Sequence, residues 1–382
     1  MINKGRLAET FRSLVETDSI SRQEGILAAA LRKILESMGA TVVMDSAGEK
    51  VGGDTGNLIA KFKGNVPCAP LLLNAHMDTV EPGRGIKATL NDGVFRSNGS
   101  TILGADDKSA IAILLEAVRV LQENSLPFGP LELVFTICEE IGLLGAKHLD
   151  FSLIEAKFGY ALDATDTEGV ITRAPSANRL EFSVHGKDAH AGAAPEKGIN
   201  AIALASKAIS GLTLGRIDRE TTCNIGVIQG GVATNIVPGL VMVTGEVRSH
   251  DPEKLDALTN QIVGAFQKVV SDYDRSGAGD GLPRLESLVS RDFSRTNIPE
   301  NHPVIRLARK AAANLGRKMT AKRTGGGADA NIFFEKGIMV GVLGTGMRDM
   351  HTVRENVRLE DMVRAGELIL EIIRLHQAQG AV

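Results

Sequence analysis

The chain contains 382 residues, of which 43% are apolar and 23% are charged. This length exceeds the size at which one hydrophobic core usually stops growing, so we expect two domains, and the composition is that of a globular protein. A formal net charge of −3 offers no long-range attraction to phosphate backbones, and no segment reaches the length of a membrane span. We therefore expect neither nucleic acids nor membranes as partners.

The cysteines and the amino-terminal segment indicate a cellular compartment. Cys68, Cys138 and Cys223 are widely separated and form no CxxC pair, which predicts neither a disulfide framework nor a thiolate zinc site. The amino-terminal segment carries charges within a helical apolar stripe, unlike the uncharged core of a signal peptide. We therefore expect a cytoplasmic protein.

The first half of the chain contains short apolar runs that are typical of buried strands, at residues 71–75, 131–137 and 158–162. Between the first two runs, apolar residues recur at helical spacing, and Asp107 just before them is expected to cap this helix. The order strand, helix, strand predicts an α/β unit with parallel strands. Such strands end at one sheet edge, where open sheets usually bind ligands.

The pattern changes at about residue 175. Leu180, Phe182 and Val184 alternate with polar residues, as in a sheet that has one solvated face. This stretch predicts an α+β domain with helices and strands at residues 199–212, 224–228, 241–247 and 252–273.

After about residue 297 the chain returns to helical and apolar-strand patterns, and it closes with a helix over residues 360–377. We therefore predict a discontinuous domain made of residues 1–175 and 297–382. Residues 176–296 are expected to be inserted into it as a second, smaller domain.

Acidic and imidazole side chains follow the predicted strands of the first domain. A lone residue of this kind is usually solvated, but here several would meet at one sheet edge. So many carboxylates would repel one another without a cation, and mixed histidine and carboxylate ligation suits zinc. The residues are His76, Asp78, Asp106, Asp107, Glu139, Glu140 and Asp163.

Six segments resemble, in order, the successive motifs of the di-zinc exopeptidase family that includes aminoacylases, glutamate carboxypeptidases, succinyl-diaminopimelate desuccinylases and peptidase T. The resemblance covers nearly the whole chain and is greatest to peptidase T-like proteins, although this chain is somewhat short for them. The segments are NAHMDTV (74–80), GADDKSA (104–110), TICEEIG (136–142), ALDA (161–164), GKDAHAG (186–192) and DMHT (349–352).

The resemblance implies an α/β fold: a discontinuous catalytic domain with a mixed central sheet, and an inserted smaller α+β domain of ferredoxin-like type. In the family this inserted domain serves as a lid and as a dimerisation domain. A homodimer formed through residues 176–296 is therefore expected.

The family resemblance also implies a set of metal ligands. Asp106 would bridge two zinc ions, because two dications about 3.5–4 Å apart need anionic charge between them. His76 and Asp163 would complete one site, and Glu140 and His351 would complete the other. Cobalt or manganese could replace zinc.

Two further carboxylates have implied roles in catalysis. Glu139 resembles the general base, which takes a proton from the attacking water and returns it to the leaving amine. Asp78 resembles the carboxylate that hydrogen-bonds the far nitrogen of the His76 ring and fixes its tautomer. The alternative for Asp78 is a turn-forming aspartate. The family also implies a cis peptide bond between Asp106 and Asp107.

The remaining candidates resemble residues that bind the substrate. His190 would donate a hydrogen bond to the developing oxyanion, often from the partner subunit, although it could instead be a surface turn residue. Asn235 and Arg248 resemble lid residues that bind the peptide backbone and carboxylate, and Arg248 could equally be an outward-facing strand residue. Arg323 precedes a glycine-rich run, residues 324–329, that lacks the signature of a phosphate loop and resembles the family's substrate loop.

In this family, Asp at position 163 is more common among aminopeptidases and dipeptidases, whereas Glu there is found in many carboxypeptidases and deacylases. The sequence therefore favours an aminopeptidase that acts on short peptides such as tripeptides. Two alternatives remain open. The first is an N-acyl amino acid deacylase or carboxypeptidase with the same zinc chemistry, and the second is a peptide-binding homologue without catalysis.

Overall fold

A computed structural model describes residues 1–274 and 281–379. The chain divides into two compact units. Unit 1 consists of Met1–Arg173, Thr296–Arg323 and Ala328–Val382, and unit 2 consists of Ala174–Arg295 and Thr324–Gly327. The sequence division assigned residues 324–327 to the first domain. They belong to unit 2 because the carbonyl oxygens of Thr324 and Gly325 accept hydrogen bonds from side chains of that unit.

The first part of unit 1 alternates helices with strands. Its helices are α1 (Lys4–Val15), α2 (Gly25–Ser37), α3 (Ala47–Val51), α4 (Ala105–Glu123) and α5 (Leu144–Lys147). Its strands are β1 (Thr41–Met44), β2 (Leu58–Phe62), β3 (Leu71–His76), β4 (Thr89–Asn91), β5 (Val94–Arg96), β6 (Leu131–Thr136), β7 (Phe158–Ala164) and β8 (Gly169–Ala174).

Unit 2 follows, and the chain then returns to unit 1. The elements of unit 2 are β9 (Ser176–His185), β10 (Ala189–His190), α6 (Ala201–Ser210), β11 (Gly215–Arg216), β12 (Thr221–Gly230), β13 (Ile236–Val237), β14 (Leu240–Ser249), α7 (Pro252–Ser271) and β15 (Arg284–Phe293). Unit 1 continues with β16 (Thr296–Asn297), α8 (Pro303–Asn314), β17 (Thr320–Arg323), α9 (Asp329–Glu335), β18 (Met339–Gly344), β19 (Asn356–Arg358) and α10 (Leu359–Gln379).

The main sheet of unit 1 has the strand order β1-β2-β6-β3-β7-β18-β8-β16, with β17 beside β8. The central strands β6, β3, β7 and β18 are parallel, whereas β2 and β8 pair antiparallel with β6 and β18. The mixed sheet and the predicted strands at residues 71–75, 131–137 and 158–162 are thus confirmed. The carboxyl ends of β3, β6 and β7 lie together at one edge.

Both faces of this sheet are covered, which explains the unbroken apolar runs. Leu71 and Leu73 of β3 belong to a core shared with α1, α4 and α10, whereas Leu72 points to a second core that includes Phe333 of α9. Every residue of β3 and β6 is buried. The strands that carry the candidate ligands are therefore held rigidly by close packing on both sides.

Unit 2 has the ferredoxin-like order strand, helix, strand, strand, helix, strand, formed by β9, α6, β12, β14, α7 and β15. The sheet order is β11-β12-β14-β9-β15, and all neighbours are antiparallel. The alternating side chains of β9 pack on α6 and α7, and Phe182 stacks on Phe266 with ring centroids 4.1 Å apart. The predicted α+β fold of this unit is confirmed.

Within the described residues, no helix combines the length and the apolar character needed to cross a bilayer. Cys68, Cys138 and Cys223 are all free thiols.

Candidate metal centre

The carboxyl ends of the parallel strands of unit 1 bring the candidate ligands together. His76 is the last residue of β3, Asp163 lies near the end of β7, and Glu140 follows β6 by four residues. Asp106 reaches the same place from the start of α4, where its backbone (φ −79°, ψ 103°) is not yet helical. The peptide bond between Asp106 and Asp107 is cis, as the family resemblance implies.

Asp106 lies between two imidazole rings. Its Oδ1 is 3.0 Å from Nε2 of His76, and its Oδ2 is 3.4 Å from Nε2 of His351. The same His351 nitrogen is 3.0 Å from Oε1 of Glu140. One carboxylate oxygen thus faces each histidine, which is the arrangement that a bridging ligand requires.

The candidate ligand atoms form two overlapping groups, within each of which all atoms lie within 4.8 Å of one another. The first group contains His76, Asp106 and Glu140, and the second contains Asp106, Asp107 and Asp163. Asp106 belongs to both, whereas Glu139 and His351 are in neither of these groups of described residues. Asp106 is therefore near the ligand candidates of both groups.

Asp107 differs from its expected role. The sequence predicts a helix cap, but the Asp107 carboxylate turns away from α4, and its Oδ2 accepts the backbone N–H of His76 at 3.2 Å. Its Oδ1 is buried and has no hydrogen-bond partner within the described residues. The prediction of a cap is therefore wrong, and Asp107 instead adds a buried carboxylate to the cluster.

Asp78 supports three of its neighbours. The acceptor nearest to Nδ1 of His76 is the carbonyl oxygen of Asp78 at 3.0 Å, and Oδ1 of the Asp78 carboxylate is 3.4 Å away. The carboxylate is turned toward the next loop, where it accepts the N–H groups of Glu139 at 2.8 Å and Glu140 at 3.2 Å. Asp78 therefore fixes the His76 ring mainly through its backbone and holds the acidic pair through its side chain.

The electrostatics of the cluster indicate that positive charge is needed there. Burial raises the pKa of Glu139 well above its usual range, and burial together with the Asp106 charge does the same for Asp163. Hydrogen bonds to Asp106 and Glu140 raise the pKa of His351 to about 10. Divalent cations would compensate this excess of buried carboxylates, and two imidazoles with several carboxylates are a donor set that fits zinc.

Several supporting residues were not predicted from the sequence. Ser21 donates from Oγ to Oδ2 of Asp78 at 2.7 Å, and Glu24 accepts the N–H of Cys138, just before the acidic pair, at 2.9 Å. Glu355 accepts the backbone N–H of Asp106 at 2.9 Å. These contacts join residues far apart in the chain, so no local motif indicates them.

His190 and Asn235 are exposed residues of unit 2 and are neighbours there. His190 pairs with Ile236 between β10 and β13, and the N–H of Ala191 donates to the carbonyl oxygen of Asn235 at 2.9 Å. Nδ1 of His190 accepts the N–H groups of the two residues that follow Ala191, at 3.2 and 3.1 Å. The ring proton of neutral His190 must therefore be on Nε2, which is the atom that can donate to a substrate.

Arg248 belongs to unit 2, whereas Arg323 belongs to unit 1. Arg248 donates to Oε2 of Glu246 at 2.9 Å and to the carbonyl oxygen of Gly325 at 3.4 Å, within unit 2. It therefore contacts the glycine-rich run, where a side chain at Gly327 would collide with the ring of Phe293. Arg323 is exposed at the end of β17, in unit 1.

Comparisons with known proteins agree with this fold. The model of the peptidase dimerisation domain of the M20 type matches residues 176–274, and the model of peptidase family M28 matches residues 57–191. The crystal structure of aminopeptidase PepT from Bacillus cereus ATCC 10987 is 37% identical, covers 99% of both chains and has a TM-score of 0.86.

Two further relatives extend this result. A tripeptidase from Staphylococcus aureus subsp. aureus mu50 is 35% identical over 99% of this chain and 100% of its own, with a TM-score of 0.90. An uncharacterized protein of Bacillus subtilis (strain 168), YqjE, is 39% identical over 98% of this chain and 99% of its own.

The fold and these similarities define a peptidase. More particularly, the chain belongs to the M20 family of peptidases and is a peptidase T-like member of it. The resemblance predicted from the six sequence segments is thereby confirmed.

Proposed function

We propose that the protein is a di-zinc aminopeptidase that removes the amino-terminal residue of short peptides, tripeptides in particular. The observation that carries this proposal is the placement of the Asp106 carboxylate between His76 and His351, with Glu140 against the same His351 nitrogen. The similarity to an aminopeptidase and to a tripeptidase supports the choice of substrate.

Five residues would hold the two metal ions: His76, Asp106, Glu140, Asp163 and His351. When bound, the ions would polarise the carbonyl group of the scissile bond and lower the pKa of a water molecule. Cobalt or manganese would occupy the same ligands, because carboxylates and imidazoles accept all three metals.

Glu139 would act as the general base. The Asp78 carboxylate accepts the backbone N–H of Glu139 at 2.8 Å, which holds the backbone of Glu139 next to that of the proposed ligand Glu140. Glu139 would take a proton from the attacking water and return it to the leaving amine.

His190 would stabilise the developing oxyanion through Nε2. Two backbone N–H groups occupy Nδ1, so the neutral ring has its proton on the side that is free to donate. Asn235 beside it, and Arg248 and Arg323, would bind the backbone and carboxylate of the peptide.

The substrate class can be tested with three matched compounds: a tripeptide with a free amine, its N-acetylated form and the corresponding N-acetyl amino acid. Mass spectrometry of the zinc-loaded protein should show release of the amino-terminal residue from the free tripeptide only. Turnover of the N-acetyl amino acid would instead identify a deacylase. No turnover of any compound would favour a peptide-binding homologue, and Glu139→Ala controls for contaminating peptidases.

We further propose a homodimer formed through unit 2, which contains the match to the peptidase dimerisation domain. Strands β12 and β14 and the turn that joins them present apolar side chains that are between 43% and 84% exposed, and exposed apolar groups of this kind are typical of protein contact surfaces. We call the following residues the apolar patch: Val227, Ile228, Val232, Leu240 and Met242. It adjoins the β10–β13 ribbon that carries His190, which supports donation of His190 to the partner's site.

Analytical ultracentrifugation of Met242→Lys should show a monomer, because a charge in the patch would be buried in the dimer without a partner. Leu288→Lys, on the opposite edge strand β15, is the matched control and should remain dimeric. Monomeric wild-type protein would contradict the proposal. The free thiols of the three cysteines support a reducing compartment, and we propose the cytoplasm.

A further inference from the structure

Glu355 is a buried carboxylate that lies four residues after His351 and against the segment that carries Asp106. Its Oε2 accepts the N–H groups of Leu103 at 2.8 Å and Gly104 at 2.7 Å, and its Oε1 accepts that of Asp106 at 2.9 Å. Its exposed fraction is 1%. One side chain thus satisfies three backbone donors of a segment about 250 positions away in the sequence.

The backbone of this segment explains why an external acceptor is needed. Gly104 has φ +73°, and the backbone of Asp106 is not helical. The N–H groups at the start of α4 therefore have no acceptors within the helix. Successive N–H groups in such a concavity bind anions. The Glu355 carboxylate is the anion that occupies it.

The other end of Glu355 is fixed to the loop that carries His351. Arg348 and Asn356 exchange two backbone hydrogen bonds, at 2.9 and 3.0 Å, which close the base of this loop. The N–H of Glu355 donates to the carbonyl oxygen of Thr352 at 3.0 Å. A shift of Glu355 would therefore move the backbone of His351, whose φ of 60° already confines it to the left-handed region.

We propose that Glu355 is a positioning residue for the metal centre. It joins the backbone of Asp106 to the loop of His351 and so sets the geometry of the position that Asp106, Glu140 and His351 would share. The position that uses His76 and Asp163 shares Asp106 but depends on Glu355 less, because its other two ligands are carried by β3 and β7 of the packed sheet. This inference rests on the metal ligands proposed above.

The test is a calorimetric zinc titration of the metal-free full-length chain with the substitution Glu355→Gln. The amide keeps the size of the side chain but places an NH2 group against the backbone donors. We expect one zinc equivalent to bind about 10- to 100-fold more weakly, the usual effect of losing an outer partner of a metal ligand. The other equivalent shares Asp106 but not the loop of His351, so it should lose less affinity.

Glu132 provides a matched control for loss of a buried, hydrogen-bonded carboxylate. It is 2% exposed and accepts the N–H groups of Glu155 at 3.0 Å and Ala156 at 2.9 Å. It lies near the start of strand β6, away from the carboxyl end of that strand. Glu132→Gln should lower the melting temperature without a change in zinc affinity. An equal loss of zinc affinity in both variants would reduce the effect of Glu355 to general destabilisation and overturn the inference.

If Glu355→Gln does not fold, Glu355→Asp undergoes the same titration, because it keeps the charge but is too short to reach all three donors. Wild-type affinity for both equivalents in a folded variant at this position overturns the inference alone. A wild-type chain that binds fewer than two equivalents would overturn the proposed metal centre, and this inference with it.

Discussion

The two units hold their polar candidate residues in opposite ways. In unit 1 His76 is 3% exposed, Asp106 is 7% exposed and Asp78 is fully buried, and each is hydrogen-bonded to another segment of the chain. In unit 2 His190 and Asn235 are exposed, and the backbone contacts beside them belong to a two-stranded ribbon. The candidate residues of unit 1 are thus packed in place, whereas those of unit 2 lie at the surface.

Substitutions in the two units should therefore have different effects on the protein. Substitutions in the buried cluster of unit 1 should alter metal content or remove the proton transfer. Substitutions among the exposed residues of unit 2 should alter turnover with the metals still in place.

Glu139→Ala should lower kcat by at least about 10²-fold, because it removes the proposed general base. Both metals should remain, since Glu139 is not one of the five proposed ligands. Glu140→Ala is the neighbouring comparison and should lose metal before any effect on chemistry. Metal analysis together with tripeptide kinetics separates the two. Loss of metal in Glu139→Ala with retention in Glu140→Ala would reverse the assignment.

His190→Ala should lower kcat by roughly 10²–10³-fold with unchanged metal content, as expected for loss of an oxyanion donor. His185→Ala, another histidine of unit 2, is the control and should retain wild-type kcat. If His190 acts on the partner subunit, a mixture of His190→Ala and Glu139→Ala chains should recover part of the activity. An unchanged kcat would make His190 a surface turn residue.

Asp78→Asn should lower metal affinity or activity by about 10- to 100-fold, because an amide cannot accept the N–H groups of both Glu139 and Glu140. Asp45→Asn is the matched control: Asp45 likewise accepts the backbone N–H groups of Ala47 and Asn57. It should affect the melting temperature only. Equal zinc affinity in Asp78→Asn and the wild type would limit Asp78 to a role in the turn.

Much of unit 1 could be predicted from the sequence because its strands are buried on both faces and its ligands follow them directly. The apolar runs at residues 71–75 and 131–137 placed His76 and the acidic pair at one sheet edge, and the structure has them there. The ferredoxin-like fold of unit 2 followed from alternation and the resemblance. The strand β15 was not predicted, since its exposed residues carry no clear apolar alternation.

The supporting contacts could not be predicted, and the reason is physical. Ser21, Glu24 and Glu355 act through hydrogen bonds to groups 57 to 252 positions away, which depend on tertiary packing alone. Asp107 has the residue type and position of a helix cap, yet its carboxylate accepts the N–H of His76 instead. A tertiary contact thus overrides the local capping preference.

Metal reconstitution tests the central claim most directly. Removal of metal with a chelator should abolish tripeptide hydrolysis, and zinc added back to the metal-free chain should restore full activity at about two equivalents per chain. That stoichiometry is what a carboxylate shared between the His76 and His351 positions predicts. Full activity with a single tightly bound equivalent would contradict it.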